Sequence, residues 1–449
     1  MMDSEIRTIR YENGEMQRYQ VVSGFAWNDL EFVQTPFSKE TFEEIVRMYQ
    51  AFVIPKHSFL YGAFVIFHLP EDVECPFPLE SDAGIIFDKQ VATCYGLEKL
   101  YREGRIRNTG RSLEIDDESI RVFLERLEKA GWLGIGYGDK KDVSFFPVGE
   151  DLGYLSHTEP TPSLITNSHF FMMDLFDHDS PYDLFGTPYG MLVKSGIVSQ
   201  PPINNREALL VDMDGRVRIS RPTLADLSFS IQGKELVPGK NCSVYWRPDT
   251  RVTPKAAGLD LVIVGDEVVA FHEKGEVRVP GAGFVLHTKE VLEKVPSAVV
   301  YRGMENCLFG IQVGSSAVKD GVLVDHFESP FFNLKTDDVP YPPSLYPLDY
   351  AKDRAPRMAI CSDREGNPVI VWAEGCSKLF YDRGNESAGA SLLELAEFCH
   401  SIGLVNALNM DGGGSAEIFL SGKSQLHVSD RYPDNSDSER PVPMGLMVR

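Results

Sequence analysis

Between residues 206 and 373 the chain keeps turning back on itself, with short β-branched runs separated by turn signals that hairpins satisfy and long helices do not. "REALLVDMDGRVRIS" turns at Asp214-Gly215, "LVIVGDEVVAF" turns at Gly265-Asp266, and "RMAICSDREGNPVIVWAEG" is a looser unit of the same kind. Hairpins resemble one another by physics alone, so this similarity does not establish an internal repeat.

One segment breaks the pattern. In "SAGASLLELAEFCHSIGL", Ser391 and Glu394 have the spacing of a capping box, while Leu392, Leu395, Ala396, Cys399 and Ile402 fall on one helical face. Gly403 supplies the stop. The apolar runs "PVIVWA" before it and "LVNALNM" after it have strand length, which predicts a β-α-β crossover with Asp411 at the end of its second strand. The expected fold class is therefore α+β, with mixed sheets of hairpins and a crossover in the C-terminal part.

Upstream, "TFEEIVRMYQ" and "DDESIRVFLERLEKAGWLG" carry helix-start signals, and the Pro-rich stretch "SHTEPTPS" at 156–163 punctuates the chain. A length of 449 residues fits two or three domains. We expect a smaller α/β N-terminal accessory domain over 1–155 and a larger domain over 156–449.

With a net charge of −22, the chain lacks the clustered cations that nucleic-acid phosphates reward, so nucleic acid is not expected as a partner. "YREGRIRN", with Arg102, Arg105 and Arg107, reads as a solvated face. No run reaches the roughly 18 apolar residues of a membrane span, and the first residues lack the apolar core of a secretory signal. The expectation is a cytoplasmic chain with no membrane partner. Seven scattered cysteines without a CxxC pair point to reduced thiols and away from a zinc ribbon. The acidic run "MMDLFDHDSPYD", with Asp174, Asp177, His178, Asp179 and Asp183, offers oxygen ligands for a divalent cation but has no EF-hand spacing. No cofactor or metal is expected.

The stretch "NALNMDGGGSAEIFLSGK" carries the most unusual chemistry. It lacks the lysine of a phosphate-binding loop and leads into an alternating, strand-like run, which excludes a nucleotide P-loop. A tight turn accounts for Asp-Gly, yet three glycines carry more conformational entropy than a turn requires. A plain turn and a floor for a ligand that approaches the main chain both fit.

These residues also carry a family likeness. Gly389, Ser391, Glu394, Leu395 and Ala396, followed by Ala407, Leu408, Asn409, Asp411, Gly412, Gly413, Gly414 and Ser415, resemble the phosphodiester glycosidase family. There a G-x-[ST]-x-x-E-L-A helix leads into A-L-N-x-D-G-G-G-S. "APRMAICSDREG" resembles the family's P-R-T-A-I-G hairpin at Pro356, Arg357, Ala359 and Ile360, and "LITNSHFF" its N-G-G-F-F motif at Asn167, Phe170 and Phe171. The resemblance spans about residues 160–449. The chain departs from the pattern at Ser168 and His169, which replace glycines, at Ala416 and Glu417, which replace small hydroxylated residues, and at Glu374, where Asp is frequent.

The resemblance implies hydrolysis of a glycosyl phosphodiester, such as an N-acetylglucosamine-1-phosphodiester, to free sugar and a phosphomonoester. Glycosidic cleavage needs a carboxylate beside an oxocarbenium-like centre and usually a second carboxyl group for proton transfer. Asp411 is the expected first carboxylate, with Glu374 and Glu417 as candidates for the second. Arg357 suits a phosphate, as do main-chain N–H groups from Gly412 to Ser415. Asn167, His169 and Asn409 are expected to contact the sugar. Other readings of the same residues are a catalytically altered glycan-binding or exopolysaccharide-related module and an ordinary O-glycosidase.

Overall fold

The computed structural model describes residues 2–35, 153–172, 180–184, 186–203, 205–247, 249–327, 354–376, 381–431 and 436–449, with three short strands at Ser58–Phe59, Ile106–Asn108 and Leu113–Ile115. Both helices expected near residues 41–50 and 116–134, and the acidic run from Asp174 to Asp179, lie outside the described residues. Among the described residues the fold is mostly β-sheet. Every ladder between these strands is antiparallel, which corrects the expectation of mixed sheets.

A seven-stranded sheet forms the centre of the C-terminal region. Its strands include β1 (Asp3–Arg10), β2 (Met16–Ser23), β5 (Ser316–Lys319), β6 (Arg357–Ser362), β7 (Pro368–Ala373) and β8 (Asn406–Asn409). A four-stranded sheet holds β3 (Leu30–Gln34), β4 (Leu164–Asn167), β9 (Ile418–Leu420) and β10 (Met444–Val448). Two further sheets of five and seven strands carry the hairpins 208–220 and 259–272, which turn at Gly215 and Gly265 with positive φ, as their sequences predict.

Period-two alternation along β6 shows how the layers are built. Met358 and Ile360 face one core with Leu164, Ile418, Leu446 and Phe309, whereas Ala359 and Cys361 face another beneath helix α1 (Leu392–Ser401). That helix has the predicted capping box between Ser391 and Glu394 and buries Leu392, Leu395, Ala396, Phe398 and Cys399. Phe398 stacks on Tyr19 of β2, with ring centroids 3.8 Å apart. The strands that α1 links are not side by side: β6 lies between β7 and β8 and is antiparallel to both.

The expected break near residue 156 does not set residues 2–35 apart. Tyr19 to Val22 of β2 pair with Ile370 to Ala373 of β7, and β3 pairs along its length with β10. A single sequence carries no signal for a strand partner more than 300 residues away.

Candidate active site

Several strand ends converge where the glycine stretch leaves β8. Asn409, buried at the end of that strand, donates its main-chain N–H to the Ser315 carbonyl at 3.0 Å. Met410 then bonds to Met358 of β6, and the N–H of Asp411 donates to the Ser168 carbonyl at 3.0 Å. The chain is thus held between β6 and the end of β4 as it enters the turn.

The turn is a short 3-10 segment, Gly413–Ser415, and its three glycines answer three different demands. A Cβ on Gly412 would lie 2.6 Å from the Pro356 carbonyl oxygen, inside contact distance. Gly413 adopts φ +60°, a left-handed conformation, and a Cβ there would meet nothing within 4 Å, so its outer face is open. At Gly414 a Cβ would overlap the guanidinium of Arg440 and the carboxylate of Asp430. The expected anion nest is not what the turn builds. The N–H groups of Gly412, Gly413 and Ser415 donate to Asp411 Oδ1, the Pro356 carbonyl and the Gly412 carbonyl.

Asp411 is half-buried and keeps access to solvent. Burial raises its carboxyl to about 7, against the stabilising hydrogen bonds from the Ser415 side chain and the Gly412 N–H. At neutral pH it therefore populates both protonation states.

Asn167 closes the turn from below. Its Nδ2 donates to the Asp411 carbonyl at 2.7 Å, and its Oδ1 accepts the Glu417 N–H at 3.3 Å. Both ends of the amide are thus used within the protein, which corrects the expectation that it is directed at a sugar hydroxyl. His169 is buried beside Ser168 Oγ at 3.1 Å, with Phe32 edge-on to its ring. Burial lowers its pKa to about 3, so it is a neutral imidazole at pH 7 and supplies no proton as a cation.

The two candidates for a second carboxylate are both withdrawn from solvent. Glu374 is 1% exposed; Arg18 of β2 pairs with its carboxylate, and the His427 N–H donates to it at 2.9 Å. Glu417 is 0% exposed, and among the described residues neither carboxyl oxygen has a hydrogen-bond partner. Burial, with Glu439 and Asp430 nearby, raises its pKa well above the ordinary range and keeps it protonated. Arg357 begins β6 immediately after Pro356, is buried, and donates Nε to the Ala390 carbonyl at 2.9 Å. Asn167, Asp411, Ser415 and Arg357 are thus gathered at one turn, while the acid groups of Glu374 and Glu417 face inward.

Sequence reasoning missed Asp430 and Arg440, which pack directly under Gly414 with Arg440 Nε 3.0 Å from Asp430 Oδ2. Their only signal was indirect: a third glycine that no turn required. It also missed Arg18, which lies outside every motif. Among the described residues no group of His, Cys, Asp or Glu is arranged to hold a metal ion, and no helix is long and apolar enough to cross a membrane.

The phosphodiester glycosidase family model matches residues 257–449. N-acetylglucosamine-1-phosphodiester alpha-N-acetylglucosaminidase of Mus musculus is 39% identical over 79 residues, which is 18% of this chain and 14% of that protein. The Homo sapiens protein of the same name is 40% identical over 79 residues, with the same coverage. The chain thus spans about 14% of the length of these curated relatives. Among solved structures, a hypothetical protein from Synechocystis has a TM-score of 0.42 at 15% identity, covering 100% of this chain and 62% of its own. The catalytic domain of zebrafish N-acetylglucosamine-1-phosphodiester alpha-N-acetylglucosaminidase, auto-inhibited by its pro-peptide, has a TM-score of 0.39 at 10% identity, covering 100% of this chain and 83% of its own. The family match takes in the Asp411 turn together with β6 and β8, which lead into it, and over residues 257–449 the chain matches the phosphodiester glycosidase family.

Proposed function

We propose that the chain hydrolyses a glycosyl phosphodiester, releasing free sugar and a phosphomonoester. The observation that carries this reading is the partly buried residue Asp411, its carboxyl raised to about 7, next to the open face of Gly413. The open face of Gly413, two residues from Asp411, leaves room for an anomeric carbon. As the bond to the phosphate oxygen lengthens, positive charge grows on the sugar ring and the Asp411 carboxylate stabilises it.

A phosphodiester oxygen is a weak base and leaves with little proton assistance, so a general acid is less needed than for an alkoxide. Arg357, buried beside the turn, adds positive potential that favours the departing dianion. The 39–40% identity over 79 residues to enzymes named for N-acetylglucosamine-1-phosphodiesters supports that substrate class.

The test is a panel of sugar-1-phosphodiesters and ordinary O-glycosides, followed by reducing-sugar assay and phosphorus NMR. Cleavage of a phosphodiester, lost in Asp411→Asn with the fold intact, is the expected result. Cleavage of the glycosides alone, or full activity in the variant, overturns the proposal.

A further inference from the structure

Strand β1 ends the seven-stranded sheet, and among the described residues β2 is the one strand that pairs with it. The pairing runs without a register shift from Asp3 opposite Ser23 to Arg10 opposite Met16. Tyr11, just past it, donates its N–H to the Glu15 carbonyl at 2.9 Å, and on the far side of β2 the Arg18 carbonyl accepts the Glu374 N–H at 2.9 Å. Antiparallel ladders alternate, so Asp3, Glu5, Arg7 and Ile9 aim their main-chain groups at β2, whereas Ser4, Ile6 and Thr8 aim theirs outward. Among the described residues no main-chain group bonds them there.

A free edge of this length invites pairing, and chains ordinarily blunt it with Lys, Pro, a bulge or a covering segment. "DSEIRTIR" has no Lys or Pro, its register is unbroken, and Ser4, Glu5, Ile6 and Thr8 are exposed. Ile6 leaves 44% of its surface in water. The strand is also held in place, because Ser4 Oγ donates to Gln425 Oε1 at 2.6 Å and Arg10 Nη1 to the Gly384 carbonyl at 3.3 Å. A partner meets a preformed edge.

The order of side chains along that edge selects the partner. Antiparallel pairing with a second copy forms a ladder only where outward groups meet outward groups, so even-numbered residues must face even-numbered ones. With Ile6 opposite the partner's Ile6, Ser4 and Thr8 exchange main-chain bonds with the partner's Thr8 and the partner's Ser4. Glu5 and Arg7 then face the partner's Arg7 and the partner's Glu5 at the closely spaced positions of the ladder. The next permitted registers set Glu5 against the partner's Glu5, or Arg7 against the partner's Arg7. One register alone covers Ile6 with itself and matches both central charges.

We infer that β1 is a self-pairing surface: two copies of the chain join edge to edge through it about a twofold axis at Ile6, so that their seven-stranded sheets become one. The inference stands apart from the phosphodiester reading and is tested without turnover. The net charge of −22 drives the copies apart, but about 0.15 M salt screens that long-range repulsion, while the Glu5 and Arg7 pairs act at contact.

The experiment is sedimentation equilibrium of the full chain at that ionic strength over a series of concentrations, with a reversible monomer–dimer equilibrium expected. Glu5→Arg and Arg7→Glu each set like charges opposite one another and should raise the dissociation constant about tenfold or more. An equal mixture of the two variants sets unlike charges opposite one another and should recover the dimer. The exposed pair between Arg7 and Glu5 within one chain, at 2.9 Å, stays broken in that mixture, so recovery reports contact between chains. Ile6→Pro removes an outward N–H and spares the bonds to β2, so it should be monomeric with a melting temperature near that of the wild type. A chain that is monomeric throughout the series, a dimer that both charge variants leave unchanged, or a mixture that recovers nothing overturns the inference.

Discussion

Asn167 Nδ2 lies 2.7 Å from the main-chain oxygen of Asp411, and the same side chain takes the N–H of Glu417 at 3.3 Å, so one buried amide holds both ends of the glycine turn. Its role is therefore to fix the turn. Asn167→Ala strips two buried main-chain groups of their partners, each costing about 1–3 kcal/mol. We expect a clear drop in urea midpoint and at least a tenfold loss of kcat. Asn167→Asp keeps the acceptor for Glu417 but loses the donor to Asp411, so its activity should fall with a smaller loss of stability. Equal activity in both variants and the wild type would show that the clamp is unnecessary.

The Asp411 carboxyl gives a pH signature of its own. Its pKa in the folded chain is raised to about 7 from an ordinary 3.8, so the folded state holds the proton more tightly than the unfolded one. This contribution to stability is fully present below about pH 4, falls as the pH rises toward 7, and is lost above that. Asp411→Asn removes the dependence, and its melting temperature should exceed the wild type's at pH 8 by more than at pH 5. Turnover needs the carboxylate, so wild-type activity should rise through pH 7. Parallel melting curves across this range would contradict the assigned shift.

The three glycines should respond differently to alanine. Gly413→Ala meets open space and costs only the left-handed backbone, about 1–2 kcal/mol, so the variant should fold. Gly414→Ala drives a methyl group into Arg440 and Asp430, and Gly412→Ala drives one against the Pro356 carbonyl. Both should lose far more activity than stability predicts for Gly413→Ala. Thermal melts and turnover of the three variants, measured side by side, decide the ordering.

Local signals made much of this structure readable in advance. The hairpins and the Ser391 capping box rest on short-range chemistry. What escaped was long-range. β2 completes the central sheet from the opposite end of the chain, and the Asp430 and Arg440 pair is visible only through the space that Gly414 leaves for it. The roles expected of Glu374 and Glu417 failed for the same reason. An acidic residue in an apolar context reads alike whether it faces a cleft or turns inward, and burial is set by strands that pair at a distance.

Arg18 tests whether the first strands are part of the functional unit. It reaches from β2 to pair with Glu374, whose other support is the His427 N–H. Glu374 is 1% exposed, and burial already raises its pKa, so removing the cation leaves a carboxylate with less compensation. Breaking such a pair costs about 3–5 kcal/mol when fully buried; Arg18 is 24% exposed, so Arg18→Ala should cost about 2–3 kcal/mol in urea melts. Adding Glu374→Gln removes the stranded charge and should recover part of the loss. The rescue is the decisive measurement, because a variant that merely lost the packing of a long side chain would gain nothing from it. The pair also spans the seam between β2 and β7, so turnover should fall in Arg18→Ala and return in part with the second substitution.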